Sequence, residues 1–280
     1  MSDTTTTAGE WRRGWRVAGA SFVGMGVGAG LYQYVSSLFI GPLEEAFGWS
    51  RGEIASAAAI GLMGALSAPI IGLIPDRVGV LRVAIACLLV VALAYIGLAS
   101  MSGELWQFMA CVTVLAIAAP GCTSLAFSRA INGWFDKSRG FALGVMTSGI
   151  SVATFAMTPV LREIIAEQGF RAGYLTLAAL AGVIGVIVVL AGVRSGPVGS
   201  RASVDSATPP EGVTLRDALK LRGFWLLAIV MLLVNAASTG VLTQIAPLLA
   251  DKGLSGAPVA TLVSIYALSV LSGRLAIGAL

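Results

Sequence analysis

From Val83 to Ser100 the chain reads VAIACLLVVALAYIGLAS, with no charge in the run, and similar runs recur along its length. At 1.5 Å per residue, about 20 such residues cross the roughly 30 Å hydrocarbon layer of a bilayer. Backbone amides in that layer find no water, so a spanning segment must pair them internally, as a helix does. Eight runs read this way, at 16–40, 53–74, 81–100, 105–128, 140–161, 171–193, 223–249 and 257–280. A soluble helix would keep one polar face; these are apolar all round. Charged residues make up 11% of the chain, against about 25% in soluble domains. The expectation is an all-α integral membrane protein, multi-pass in the lipid bilayer.

Other classes lose ground. Histidine is absent, no G-x-S-x-G elbow or phosphate-cradling loop appears, and acids are missing from the span centres. No enzyme, metal site or cofactor is expected. Cys87, Cys111 and Cys122 all fall inside spans and read as buried structural thiols. The N-terminus, MSDTTTTAGE, reads as a disordered polar tail, with the first span retained after it rather than cleaved as a signal.

Lysine and arginine set the orientation. Alternate connections carry Arg12, Arg13 and Arg16; Arg77 and Arg82; Arg129, Lys137 and Arg139; and Arg194, Arg201, Arg216, Lys220 and Arg222. The other set carries Arg51, Arg162, Arg171 and Lys252. The basic set is expected to be cytoplasmic, with the N-terminus. The net charge of +4 is therefore a topology signal, and no nucleic-acid partner is expected. Residues 194–222, with SRASVDSATPPEG at their centre, read as a flexible cytoplasmic linker. An offset of 205 residues carries Gly48, Ser50, Ile54 and Ser67 onto Gly253, Ser255, Val259 and Ser272. Such a weak parallel repeat is a feature of many secondary transporters. The division expected is a cytoplasmic tail, 1–15; a six-helix bundle, 16–193; the linker; and at 223–280 the first two spans of a second, truncated bundle.

Two segments carry closely spaced motifs. Gly72, Asp76, Arg77, Gly79 and Arg82 have the spacing G-x3-D-R-x-G-x2-R, where one helix must end and another begin. Gly79 suits the turn, and a plain positive-inside loop would look much the same. Trp134 to Gly149, WFDKSRGFALGVMTSG, opens the fifth span. Gly140, Gly144 and Gly149, with Ser148 and Ser151, offer small residues on which another helix can pack closely. The first segment resembles the signature loop of the major facilitator superfamily, in which the acid and arginines latch a cytoplasmic gate. The second resembles the span-five signature of the monocarboxylate transporters and oxalate:formate antiporters, and FGWSRGEIA (Phe47 to Ala55) looks like the same branch. The resemblance implies a major facilitator fold in the plasma (cell inner) membrane, expected to be monomeric.

Polar residues within spans are the candidate ligands. Gln33 and Tyr34 lie in span one beyond Gly26 and Gly30, where a ligand or a helix could come close; a helix–helix hydrogen bond is the alternative. The pair resembles a Gln-Tyr pair lining the antiporter cavity, whereas the proton-coupled monocarboxylate carriers have a lysine near Gln33. Asn235 in span seven is similar to an antiporter asparagine and could equally be structural. Asp251, at the end of that span, reads as a solvated charge or a coupling acid. Arg274 falls, by the repeat, at the position of Pro69, seven residues before Asp76, or about 10 Å inside the membrane boundary. It reads either as a snorkelling anchor or as an inward-facing charge. Its context, VSIYALSVLSGR, resembles span eight of both relatives, where an arginine binds the substrate carboxylate.

The function expected is secondary active transport of small organic anions, mono- or dicarboxylates, by alternating access, as an antiporter or an ion-coupled symporter. A drug or sugar carrier of the same superfamily, or a non-transporting membrane sensor, is the alternative.

Overall fold

The computed structural model describes residues 6–56, 61–194, 215–251, 269–274 and 276, most with their side chains. Among the described residues every regular element is helical.

The first span is longer than its apolar run. Helix α1, Thr7–Val27, begins at Thr6, whose hydroxyl accepts from the Gly9 amide at 3.2 Å. Residues 7–10 are therefore helical, which corrects the expectation of a disordered tail. Gly28 ends α1, and α2 (Ala29–Val35) and α3 (Ser37–Phe47) continue the rod. A Cβ at Gly28 would press on the Cys122 carbonyl oxygen at 2.9 Å, so the break falls where another backbone comes close. A short helix α4, Arg51–Ser56, follows. Ser50 and Glu53 cap it reciprocally, the Ser50 amide donating to the Glu53 carboxylate (2.8 Å) and the Glu53 amide to Ser50 Oγ (3.2 Å).

Helix α5, Gly61–Val78, and α6, Val80–Ser100, meet at Gly79, whose φ of 90° is a conformation that L side chains avoid. Helix α7, Leu105–Ala118, passes through a 3-10 turn, Ala119–Cys122, into α8, Ser124–Asn132. Helix α9, Arg139–Ala179, consists of two rods separated at Gly169 (φ 81°, ψ 173°). A π turn, Leu180–Gly185, leads into α10, Val186–Gly192. Among the described residues, three continuous stretches are long and apolar enough to cross a membrane: Val80–Ser100, Leu105–Asn132 and Arg139–Gly192. The third holds two of the expected spans, one on each side of Gly169.

Contacts between turns define two ends of this bundle. At one end Glu10 meets residues 136–138, and Trp134 Nε1 donates to the Arg194 carbonyl at 3.0 Å. At the other, Trp49 Nε1 donates to the Gly103 carbonyl at 3.1 Å and Phe47 packs edge-on against Phe170. Arg12, Arg13, Arg16, Lys137, Arg139 and Arg194 gather toward the first end, and Arg51, Arg162 and Arg171 toward the second. Large side chains both fill the core and cover the outside. Tyr95, Tyr174, Phe127 and Phe135 are fully buried, while Leu66, Leu93 and Ile187 are largely exposed. A surface this apolar suits hydrocarbon and not water.

Chain packing forms two compact units, Met1–Ser200 with Ala267–Leu280, and Arg201–Tyr266. The segment around Arg274 thus belongs with the first unit, where the repeat groups it with span seven. In the second unit a short helix α11, Leu215–Ala218, precedes α12, Arg222–Asp251, whose residues 222–237 are all exposed.

Candidate functional site

The site is built on the first rod of α9. Where α9 crosses α1, a Cβ on Gly149 would collide with the carbonyl oxygen of Phe22, and one on Gly26 would meet the Gly149 carbonyl oxygen at 2.8 Å. Backbone against backbone leaves no room for side chains on that face. Gly144 is buried in the same rod, while Gly140 is exposed.

On nearly the opposite side of the helix runs a polar stripe: Thr147, Ser151, Thr154 and Thr158. Thr147 Oγ1 bonds back to the Gly144 carbonyl (3.1 Å), Thr154 to Ile150 (2.7 Å) and Thr158 to Thr154 (2.6 Å). Intrahelical return of this kind satisfies a hydroxyl where no water is present. Ser151, 8% exposed, returns no such bond among the described residues.

Arg274 sits against this stripe. Its Nη1 donates to the Thr147 carbonyl at 2.7 Å and to Ser151 Oγ at 3.2 Å. The side chain is half-buried and meets no carboxylate among the described residues. Thr147 and Ser151 lie eight and twelve residues beyond Arg139, about 12 and 18 Å along the helix. That depth exceeds what an interfacial anchor needs. Both acceptors are neutral, so the hydrogen bonds hold the guanidinium without cancelling its charge.

The other expected residues are dispersed. In span one Tyr32 turns inward, 5.9 Å from the ring of Tyr95 and 6.3 Å from that of Tyr174, its hydroxyl 3.5 Å from that of Tyr174. Gln33, next along the helix, is exposed and Tyr34 half-buried. Neither side chain bonds to Arg274 among the described residues. Gly30 comes close to Ile150, so α9 takes the place beside Gly26 and Gly30. Asn235, on α12, donates back to the Met231 carbonyl at 2.8 Å and is exposed. The side chains of Asp76 and Asp251 lie outside the described residues. Arg77 and Arg82 are exposed on either side of Gly79, and Gly72 packs against Leu125. No group of metal-binding side chains occurs among the described residues. A cavity of about 640 Å³ lies between α3 and α9 near Gly169, lined by Pro42, Glu45, Arg162 and Phe170 among others. It contains none of the expected ligands.

One cluster escaped sequence reasoning. Glu10 accepts from the amides of Asp136 (3.1 Å), Lys137 (3.0 Å) and Ser138 (3.0 Å), and from the Ser138 hydroxyl (2.6 Å). Burial alone would raise its pKa. The four donors outweigh that and lower it from 4.5 to about 2. Beside it Trp11 packs on Phe135 at 5.0 Å and on Phe141 at 5.6 Å, and Gly14 leaves room for the Phe135 ring. The available signals were local: an acid in the first turn of α1, and free amides where α9 begins.

The described residues, then, form a bundle of membrane-length helices in which Arg274 rests on α9 and glycines mediate the crossing of the first and fifth spans. No curated protein matches the chain. A family model, the Major Facilitator Superfamily, matches residues 17–280. By that match over nearly its whole length, the chain belongs to the Major Facilitator Superfamily, a family of membrane transporters.

Proposed function

We propose that this transporter carries small organic anions, mono- or dicarboxylates, and that Arg274 is the group that holds the carboxylate. The observation behind this reading is the charge of Arg274, held on neutral acceptors deep along α9 with no carboxylate partner among the described residues. A charge at such depth costs about 2.5–3.5 kcal/mol on insertion scales. A bound anion offsets that cost, and the charge persists at every working pH. A sugar or a neutral drug offers the arginine hydrogen-bond acceptors but no charge to offset that cost.

Transport follows as secondary active alternating access, driven by exchange or by an ion gradient. Gln33, Tyr34 and Asn235 are further candidate contacts, Asp251 a candidate coupling acid, and the Gly72–Arg82 turn the cytoplasmic gate. The end rich in arginine and lysine would face the cytoplasm of a cell whose plasma membrane holds the protein as a monomer.

The test is uptake of radiolabelled formate, lactate and oxalate into proteoliposomes holding the full-length protein, against Arg274→Gln. Loss of about 100-fold or more in kcat/KM is expected, the scale for an unpaired charge-assisted contact. Undiminished uptake by the glutamine variant would overturn the reading.

A further inference from the structure

We propose that the carboxylate is gripped by the side-on edge of Arg274, Nε with Nη2, and that Ser151 is the positioning residue that presents this edge. The inference rests on the reading of Arg274 as the anion-binding group.

A guanidinium has five N–H donors in a planar fork. Both protons of Nη1 have acceptors here, the Thr147 carbonyl at 2.7 Å and Ser151 Oγ at 3.2 Å. Nε and both protons of Nη2 have none among the described residues. Nε–H and one Nη2–H lie parallel, at the spacing of the two oxygens of a carboxylate. Fixing Nη1 to α9 leaves that edge intact and sets its direction, because a planar group held by two bonds at one corner has little freedom to turn. The end-on fork, which needs Nη1, is already used.

Ser151 is the variable part of this arrangement. Thr147 contributes its backbone carbonyl, which no side-chain change removes. Thr147, Thr154 and Thr158 return their hydroxyls to their own helix, whereas the buried Ser151 oxygen is spent on the guanidinium. The selected ligand is a planar anion with two adjacent oxygens, one in line with each N–H; a spherical anion meets both donors only as a single shared acceptor, with neither bond straight. A lysine at 274 would direct its ammonium to the same two acceptors and offer the substrate no parallel pair.

The experiment uses proteoliposomes of the full-length protein and radiolabelled lactate, with formate and chloride as competitors. Ser151→Ala is expected to raise KM about three- to tenfold with kcat changed less than about twofold, and to narrow the preference for formate over chloride. Ser151→Thr, which keeps the hydroxyl, should restore both, and Arg274→Lys should be as impaired as Arg274→Gln. An unchanged KM and unchanged competition in Ser151→Ala, with Arg274→Gln inactive, overturns the positioning role alone. So does a loss confined to kcat and shared by the alanine and threonine variants, which marks packing. Wild-type KM in Arg274→Lys overturns the side-on grip. Full uptake by Arg274→Gln removes the carboxylate reading itself.

Discussion

At Glu10 one carboxylate collects four donors, three of them amides from the turn that starts α9. Charge-assisted bonds of this kind are about twice as strong as neutral ones. Glu10→Gln should lower the melting temperature of the purified protein by several degrees, and Ser138→Ala by less, since the amides remain; differential scanning fluorimetry reads both. The pH dependence has a definite sign. A carboxyl lowered to about 2 from 4.5 contributes stability that is complete above about pH 4.5 and lost as pH falls toward 2. The gap between wild type and Glu10→Gln should therefore close across that window, and a gap that widens there would contradict the arrangement. At Arg274 the charge was plain in the sequence, and the repeat supplied an expected depth. Neither showed its partners. Ser151 is both small and polar, so its place in a small-residue face concealed its bond to a residue 123 positions away.

Among the elements, α9 is the most constrained. Its crossing with α1 brings Gly149 onto the Phe22 carbonyl, and neither backbone can yield without breaking helical hydrogen bonds. Gly149→Val should abolish folded protein in detergent extracts, and Gly149→Ala should reduce it sharply. Gly19→Ala, on α1 with open space where the Cβ would go, should leave the yield unchanged or better, since alanine favours helix by about 0.5–1 kcal/mol. Gel filtration of fluorescently tagged variants separates these outcomes. The α5–α6 turn makes a similar demand. Gly79→Ala, forced to a φ of 90°, should cost about 1–3 kcal/mol, seen as a lower melting temperature. The turns at Gly79 and Gly169 were legible because charges and glycine interrupt apolar runs there. The breaks in the first span were not. The chain stays apolar through Gly28, and the backbone that comes close there, at Cys122, lies far along the sequence.

For the bundle that the described residues form, apolar run length located the long helices and glycine with charge located their ends, because a bilayer rewards both uniformly. The polar contacts that join the ends are pairwise and long-range, and composition carries no trace of them. The two bundle ends also make the proposed orientation testable. With the native cysteines replaced, a cysteine at Arg82 should resist a membrane-impermeant maleimide in intact cells, and one at Arg162 should react. The opposite pattern would invert the proposed topology. A last consequence concerns the order in which the molecule can be completed. Glu10 is translated before its amide partners, which lie 126 to 128 positions later. At about 5–20 residues per second the ribosome needs roughly 6–25 s to reach them. Through that interval the start of α1 waits without its clasp, and its acquired resistance to protease would time the moment when the fifth span arrives beside the first.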